Sequence, residues 1–225
     1  MDLPAALFPA WLLWSSMLLA GLLLGFACSR VRWRQLDGTA CNAWMGAVVL
    51  ELGLWLMKGG FKPGLSFHLL GCTVFTLLMG PWLALLAVAL LLLALVAGGH
   101  GDLLALGLNL LLMGAVPVLL SGLLLRLARG FLPAQLFVYV FVNAFVAGGL
   151  GLFLSSLGSV LTLGLSGKYG WEYLLDEALP FYFLLSWSEA FTSGLVIAIL
   201  IVYRPRWVST FDDVLYLGPG PGLDD

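Results

Sequence analysis

The chain has two imidazoles, His68 in Gly64-Leu65-Ser66-Phe67-His68-Leu69-Leu70-Gly71 and His100 in Gly98-Gly99-His100-Gly101-Asp102. The amino terminus adds the α-amine of Met1 and the carboxylate of Asp2, and Asp102 follows His100 closely. Imidazole nitrogen, amine nitrogen and carboxylate oxygen together suit a borderline divalent transition metal. The competing reading is a set of unrelated interfacial residues, each hydrogen-bonded at a membrane surface. No Walker-type or other phosphate-binding loop is present. The chain is therefore expected to hydrolyse nothing and not to be an enzyme.

A second set of polar residues lies inside apolar stretches: Glu51, Asn109, Asn143 and Glu189. A bare carboxylate in hydrocarbon is costly, so Glu51 and Glu189 are expected to face the interior, paired or protonated. They read either as permeation or coupling groups or as interhelical hydrogen-bonding groups. Asn109 and Asn143 fit the second role, with a coupling part for Asn109 kept open. Gly21 and Gly25 form a GxxxG step that lets another helix approach closely, marking a candidate subunit interface. Cys28, Cys41 and Cys72 form no paired spacing and read as small apolar residues.

The elements that must position these groups follow from composition. Of 225 residues, 62% are hydrophobic and 10% charged, against about 25% charged in ordinary soluble domains. Mean hydropathy is +1.07. So little charge cannot cover a soluble globule, which excludes a soluble enzyme, a nucleic-acid binder and a disordered chain. The pattern predicts an all-α polytopic membrane protein. About seven transmembrane helices are expected, near 5–28, 39–57, 65–80, 81–98, 104–126, 133–157 and 179–203. A tight turn at Gly80-Pro81 separates the third from the fourth.

Seven spans place Arg30, Arg32, Arg34, Arg126, Arg129, Arg204 and Arg206 on one face, which the positive-inside rule makes cytoplasmic. The N-terminus is then outside, with both histidines and with Lys58, Lys62 and Lys168. The first span lacks a basic n-region and a small-residue cleavage site, so it is expected to stay uncleaved. Residues 1–205 form a single transmembrane domain. Residues 206–225 form a short cytoplasmic tail, partly disordered because of Gly-Pro-Gly-Pro.

From Met57 onward the sequence resembles the CbiM/NikM-type membrane proteins, the substrate-binding components of cobalt and nickel energy-coupling-factor (ECF) ABC transporters. Pro63 through Gly71 is similar to that family's approach to a loop histidine. Leu78-Met79-Gly80-Pro81 is similar to its Leu-Leu-Gly-Pro turn. Gly99 through Asn109 is similar to its Gly-rich loop and Leu-Gly-x-Asn. Asn143-Ala144-Phe145-Val146-Ala147-Gly148 resembles the sixth helix. Ser188-Glu189-Ala190-Phe191-Thr192 through Arg204-Pro205 resembles the last helix.

The resemblance implies a seven-helix importer subunit that captures a nickel- or cobalt-like divalent metal at the outer face of a bacterial inner membrane. It implies no permanently bound cofactor, the metal being transported substrate. Separate ATPase subunits and a transmembrane coupling subunit are the implied partners, beside the lipid bilayer, and no nucleic acid. In the family the metal is held by the N-terminal amine, a second-position histidine and the loop histidine. Carried over, these are Met1, Asp2 and His68. Asp2 departs from the pattern: it offers an oxygen where the family keeps an imidazole, so affinity and metal choice should change. His100 is a candidate replacement nitrogen. The approach to His68 is also one residue shorter than the family's and lacks its Asn-Phe. Two rivals stand beside this reading: a membrane interaction protein on the same fold that has lost the metal site, and a transporter of a small organic cargo.

Overall fold

The computed structural model describes residues 2–36, 38–57 and 59–217. A single turn of 3-10 helix at Ala5–Leu7 leads through Pro9 into α1 (Ala10–Arg30). Helix α2 (Gly38–Leu56) is followed by a hairpin, β1 (Gly59–Lys62) and β2 (Leu65–Phe67). Then come α3 (Cys72–Met79) and α4 (Pro81–Ala97). Three long helices complete the bundle: α5 (Leu103–Phe131), α6 (Leu136–Leu165) and α7 (Trp171–Tyr203). A short α8 (Asp213–Leu217) closes the described chain.

Among the described residues, four helices are long and apolar enough to cross a membrane: α1, α5, α6 and α7. Ala40–Leu56 and α4 are shorter apolar helices. Leucine, phenylalanine and tryptophan side chains stay exposed along α1, α5, α6 and α7, as expected where the neighbour is hydrocarbon.

The third expected span, 65–80, differs from the reading by composition. Its first residues pair in the hairpin, with Ser66 opposite Gly60. Gly71 takes φ +62°, a left-handed conformation that stops a helix from extending back toward Phe67. Only the eight residues of α3 are helical, about 12 Å of rise against a hydrocarbon core of about 30 Å. An apolar run alone does not distinguish a full span from an extended segment joined to a half-helix. The turn at Gly80, with φ +80°, then starts α4 on Pro81, where proline's missing N–H costs nothing.

Small residues set the helix spacing. A Cβ on Gly107 of α5 would lie 2.5 Å from the Met17 Cα of α1. One on Gly148 of α6 would lie 3.0 Å from the Ser193 Cβ of α7. Buried hydroxyls add links, including Thr73 with Ser121 at 2.7 Å and Ser155 donating to the Leu112 carbonyl at 2.7 Å. The long helices contain π-helical turns at Leu110–Ala115, Tyr139–Val146 and Leu174–Ala178. The first follows Asn109 directly and the second contains Asn143. Asn143 is fully buried, and neither of its side-chain polar atoms has a hydrogen-bond partner.

Residues 205–217 fold back on the arginine-bearing end of the bundle. The Ser209 N–H donates to the Leu78 carbonyl at 2.9 Å, and the Thr210 hydroxyl donates to the Leu77 carbonyl at 2.7 Å. These bonds satisfy carbonyls that the end of α3 would otherwise leave orphaned. The Arg129 guanidinium donates to the Thr210 carbonyl, and the Trp44 indole donates to the Trp207 carbonyl at 3.0 Å. Tyr139, Phe211 and Tyr216 close a ring cluster beneath this segment. The expected tail thus has residues 206–217 packed on the bundle, while 218–225 lie outside the described residues.

Candidate metal centre

The N-terminal segment is held by three side chains from two distant parts of the chain, Ser66 and the stretch from Asp102 to Asn109. The Asp2 N–H donates to Ser66 Oγ at 2.9 Å. The Leu3 N–H donates to Asn109 Oδ1 at 2.9 Å, and Asn109 Nδ2 donates to the Leu3 carbonyl at 3.1 Å. The Asn109 amide therefore pairs with the Leu3 peptide as a neighbouring strand would. The same Nδ2 lies 3.4 Å from Asp2 Oδ1. The Ala5 N–H donates to Asp102 Oδ2 at 2.8 Å. Leu3 itself is fully buried, against the turn at Gly64. The close approach of α1 to α5 at Gly107, two residues before Asn109, lets the chain ahead of α1 reach this amide.

His68 follows directly on β2. Ser66, in β2, and His68, just past its end, are two residues apart in sequence. Ser66 takes the Asp2 amide, whereas Phe67 packs its ring against Tyr182 with centroids 5.0 Å apart. His68 is buried. Its Nδ1 lies 2.9 Å from the Leu69 carbonyl. A carbonyl only accepts, so Nδ1 carries the proton and Nε2 carries the lone pair in the neutral ring. Its ring packs at 5.0 Å on Trp55, whose indole N–H donates to Glu51 Oε1 at 2.9 Å.

Beneath the histidine, two buried glutamates enclose the chain's entry into α3. Glu189 Oε2 accepts the Leu70 N–H at 2.8 Å, and Oε1 accepts the Gly71 N–H at 2.9 Å. A carboxylate at this helix start also opposes the positive end of the helix dipole. Glu51 lies across Gly71, where a Cβ would fall 2.5 Å from the Glu51 Cδ. Helices α2 and α7 thus each hold the loop that carries His68. At the rim of this loop, the Tyr169 hydroxyl donates to the Pro63 carbonyl at 2.8 Å. Partial burial raises the Tyr169 phenol above its ordinary range, and Lys62 opposes the shift.

The sequence-read residues divide accordingly. Asp2, Asn109 and the strand leading to His68 come together. Glu51 and Glu189 join the same loop from below. His100 is exposed in the turn after α4, its N–H donating to the Leu95 carbonyl at 2.8 Å. That turn reaches the N-terminal segment through Asp102. Met1 lies outside the described residues. Among the described residues, no group of three His, Cys, Asp or Glu side chains is disposed around one metal position. Gly21 and Gly25 have open space where a Cβ would stand. Three contributors escaped sequence reading: Ser66, Asp102 as an anchor, and Trp55. Strand alternation from His68 points to Ser66, and helical i,i+4 spacing from Glu51 points to Trp55.

The family model described as CbiM, cobalt uptake substrate-specific transmembrane region, matches residues 2–207. The chain belongs to the CbiM family. It is accordingly a multi-pass membrane protein of a metal-uptake family. The fold of this CbiM-family chain is similar to a crystal structure of a transition metal transporter, with TM-score 0.76 and 20% identity, covering 89% of this chain and 92% of that one. It is also similar to a truncated transition metal transporter, with TM-score 0.77 and 20% identity, covering 90% and 99%. No curated protein sequence matches the chain.

Proposed function

We propose that this CbiM-family chain is the substrate-binding membrane subunit of an energy-coupling-factor importer, and that it captures a divalent transition metal at the outer face of a bacterial inner membrane. The ligands in this reading are the Met1 amine, Asp2 and His68, with His100 as a further nitrogen. The observation that carries it is the bond from the Asp2 N–H to Ser66 Oγ, two residues from His68. That bond, with the Asn109–Leu3 pairing, supports a shared position for the terminal amine, the Asp2 carboxylate and the His68 lone pair. Nitrogen donors with one carboxylate suit nickel- or cobalt-like ions. The path of the chain supports seven crossings, the N-terminus outside and the arginine-bearing end cytoplasmic, with 68–79 crossing as an extended segment and half-helix. Import would draw on separate ATPase subunits and a transmembrane coupling subunit, for which the open Gly21/Gly25 face is the candidate dock.

Calorimetry on the purified full chain with nickel, cobalt, zinc and copper tests the reading. At least one metal should bind, and His68→Ala should abolish that binding. Binding by none of them, or binding unchanged in His68→Ala, overturns it and favours a membrane interaction role in which Asp2 marks a lost site.

A further inference from the structure

Two cavities meet at the arginine-bearing end between α2 and α4. The first, of about 250 Å³, is a slot with Cys41, Trp44 and Val48 of α2 on one side and Leu83, Ala87 and Leu90 of α4 on the other. On each helix the outermost contributing residues are seven steps apart, so the slot runs about 10 Å along the helix axes. The second cavity, of about 380 Å³, includes Arg30, Arg32 and Ser209. Leu36, Trp44, Met79 and Leu83 line both cavities, so the two form one continuous groove, basic at its end and apolar along its length. Among the described residues, none lining either cavity is a carboxylate.

We infer that this groove is a binding site for an anionic phospholipid, with the phosphate at Arg30 and Arg32 and an acyl chain in the slot between α2 and α4. The polarity of the groove matches an amphiphile lying along the bilayer normal, headgroup at the interface and tail toward the midplane. Arginine at the interface attracts anionic lipid headgroups, and its planar fork pairs with phosphate oxygens. A zwitterionic lipid offers the same tail but sets a fixed cation beside the two arginines. An acidic helix of a partner protein would satisfy the charges, yet a slot between two adjacent helices fits a single chain of methylenes better than a second helix about 10 Å across. The inference is independent of metal binding.

The full chain is reconstituted in nanodiscs holding equal phosphatidylglycerol and phosphatidylcholine, extracted, and weighed by native mass spectrometry. Retained lipid should favour phosphatidylglycerol by about tenfold or more. Arg30→Ala/Arg32→Ala should equalise the two lipids, and Ala87→Trp, which fills the slot, should remove retention of both. Arg204→Ala/Arg206→Ala, a basic pair outside both cavities, should leave the preference intact. Equal retention by the unmodified chain overturns the site and leaves an acidic partner helix as the occupant. Equal loss in the Arg204/Arg206 variant reduces the effect to general charge, and unchanged retention in Ala87→Trp moves it out of the slot; either result also overturns the proposal. A phosphatidylglycerol with a photoreactive tail gives a readout on the unmodified chain. Crosslinks should fall within 41–48 and 83–90, and crosslinks confined elsewhere overturn the assignment.

Discussion

Glu189 accepts the Gly71 N–H at 2.9 Å across 118 residues of sequence, while its other oxygen accepts the Leu70 N–H. One side chain of α7 thus satisfies two backbone donors at the start of the half-helix α3. Glu189→Ala leaves both donors buried without that partner, at about 1–3 kcal/mol each. The expected result is a loss of several kcal/mol, read by unfolding in detergent, with faster amide exchange at residues 70 and 71. Glu189→Gln keeps one acceptor and should fall between the two. An alanine variant as stable as the parent would mean that the carboxylate does not hold this loop.

Gly71 carries two independent constraints. Its φ of +62° disfavours any L side chain, at about 1–2 kcal/mol. A Cβ would also fall 2.5 Å from Glu51 Cδ and 2.8 Å from Glu51 Oε1. Gly71→Ala should therefore cost more than the backbone penalty alone. Shortening the neighbour in Glu51→Ala should relieve the clash and leave the backbone part. A double-mutant cycle measures the coupling. Strict additivity of the two substitutions would place Glu51 away from Gly71.

Much of the architecture was readable because hydrocarbon demands long apolar runs and the arginines bracket them. The 65–80 stretch was not, since Leu65 to Met79 is as apolar as a true span, and the left-handed Gly71 is held by Glu51 and Glu189 from other helices. At the site, His68 was legible as a rare imidazole after a glycine-rich approach. The partnership of Asn109 with Leu3 was not, because it joins residues 106 apart through the close approach of α1 to Gly107. His100 drew attention by residue type, yet the bond from its loop to the N-terminal segment comes from Asp102.

Asn109 positions the N-terminal segment without being a proposed ligand. Asn109→Ala removes both bonds to the Leu3 peptide and the 3.4 Å contact to Asp2. Residues that orient metal ligands typically contribute 10–100-fold to affinity. The variant should bind metal about tenfold or more weakly, with amide exchange at residues 2–5 accelerated and the rest of the bundle unchanged. Equal affinity in both proteins would mean that the docked segment is not part of the metal centre.

At the opposite end, Thr210 joins three elements. Its hydroxyl donates to the Leu77 carbonyl at 2.7 Å and lies 2.6 Å from the Tyr139 hydroxyl, while its carbonyl takes the Arg129 guanidinium. Because the hydroxyl gives its proton to Leu77, the Tyr139 hydroxyl must donate to it, so Tyr139 and Leu77 depend on the same oxygen. Thr210→Val keeps the side chain's shape and strips both hydroxyl bonds, leaving the Tyr139 hydroxyl short of its acceptor at about 1–3 kcal/mol, while the Leu77 carbonyl keeps the backbone N–H of residue 210 at 3.3 Å. Arg129→Met removes the guanidinium bond to the Thr210 carbonyl while keeping an apolar stem. Each variant should expose residues 205–217 to limited proteolysis faster than the parent, and the double variant faster still. The stripped bonds lie at one end of α3 and the His68 loop at the other, so metal affinity measured on the same samples should hold steady. A segment that stays equally resistant in Thr210→Val would show that its ring cluster of Tyr139, Phe211 and Tyr216, rather than the Thr210 hydroxyl, keeps it on the bundle.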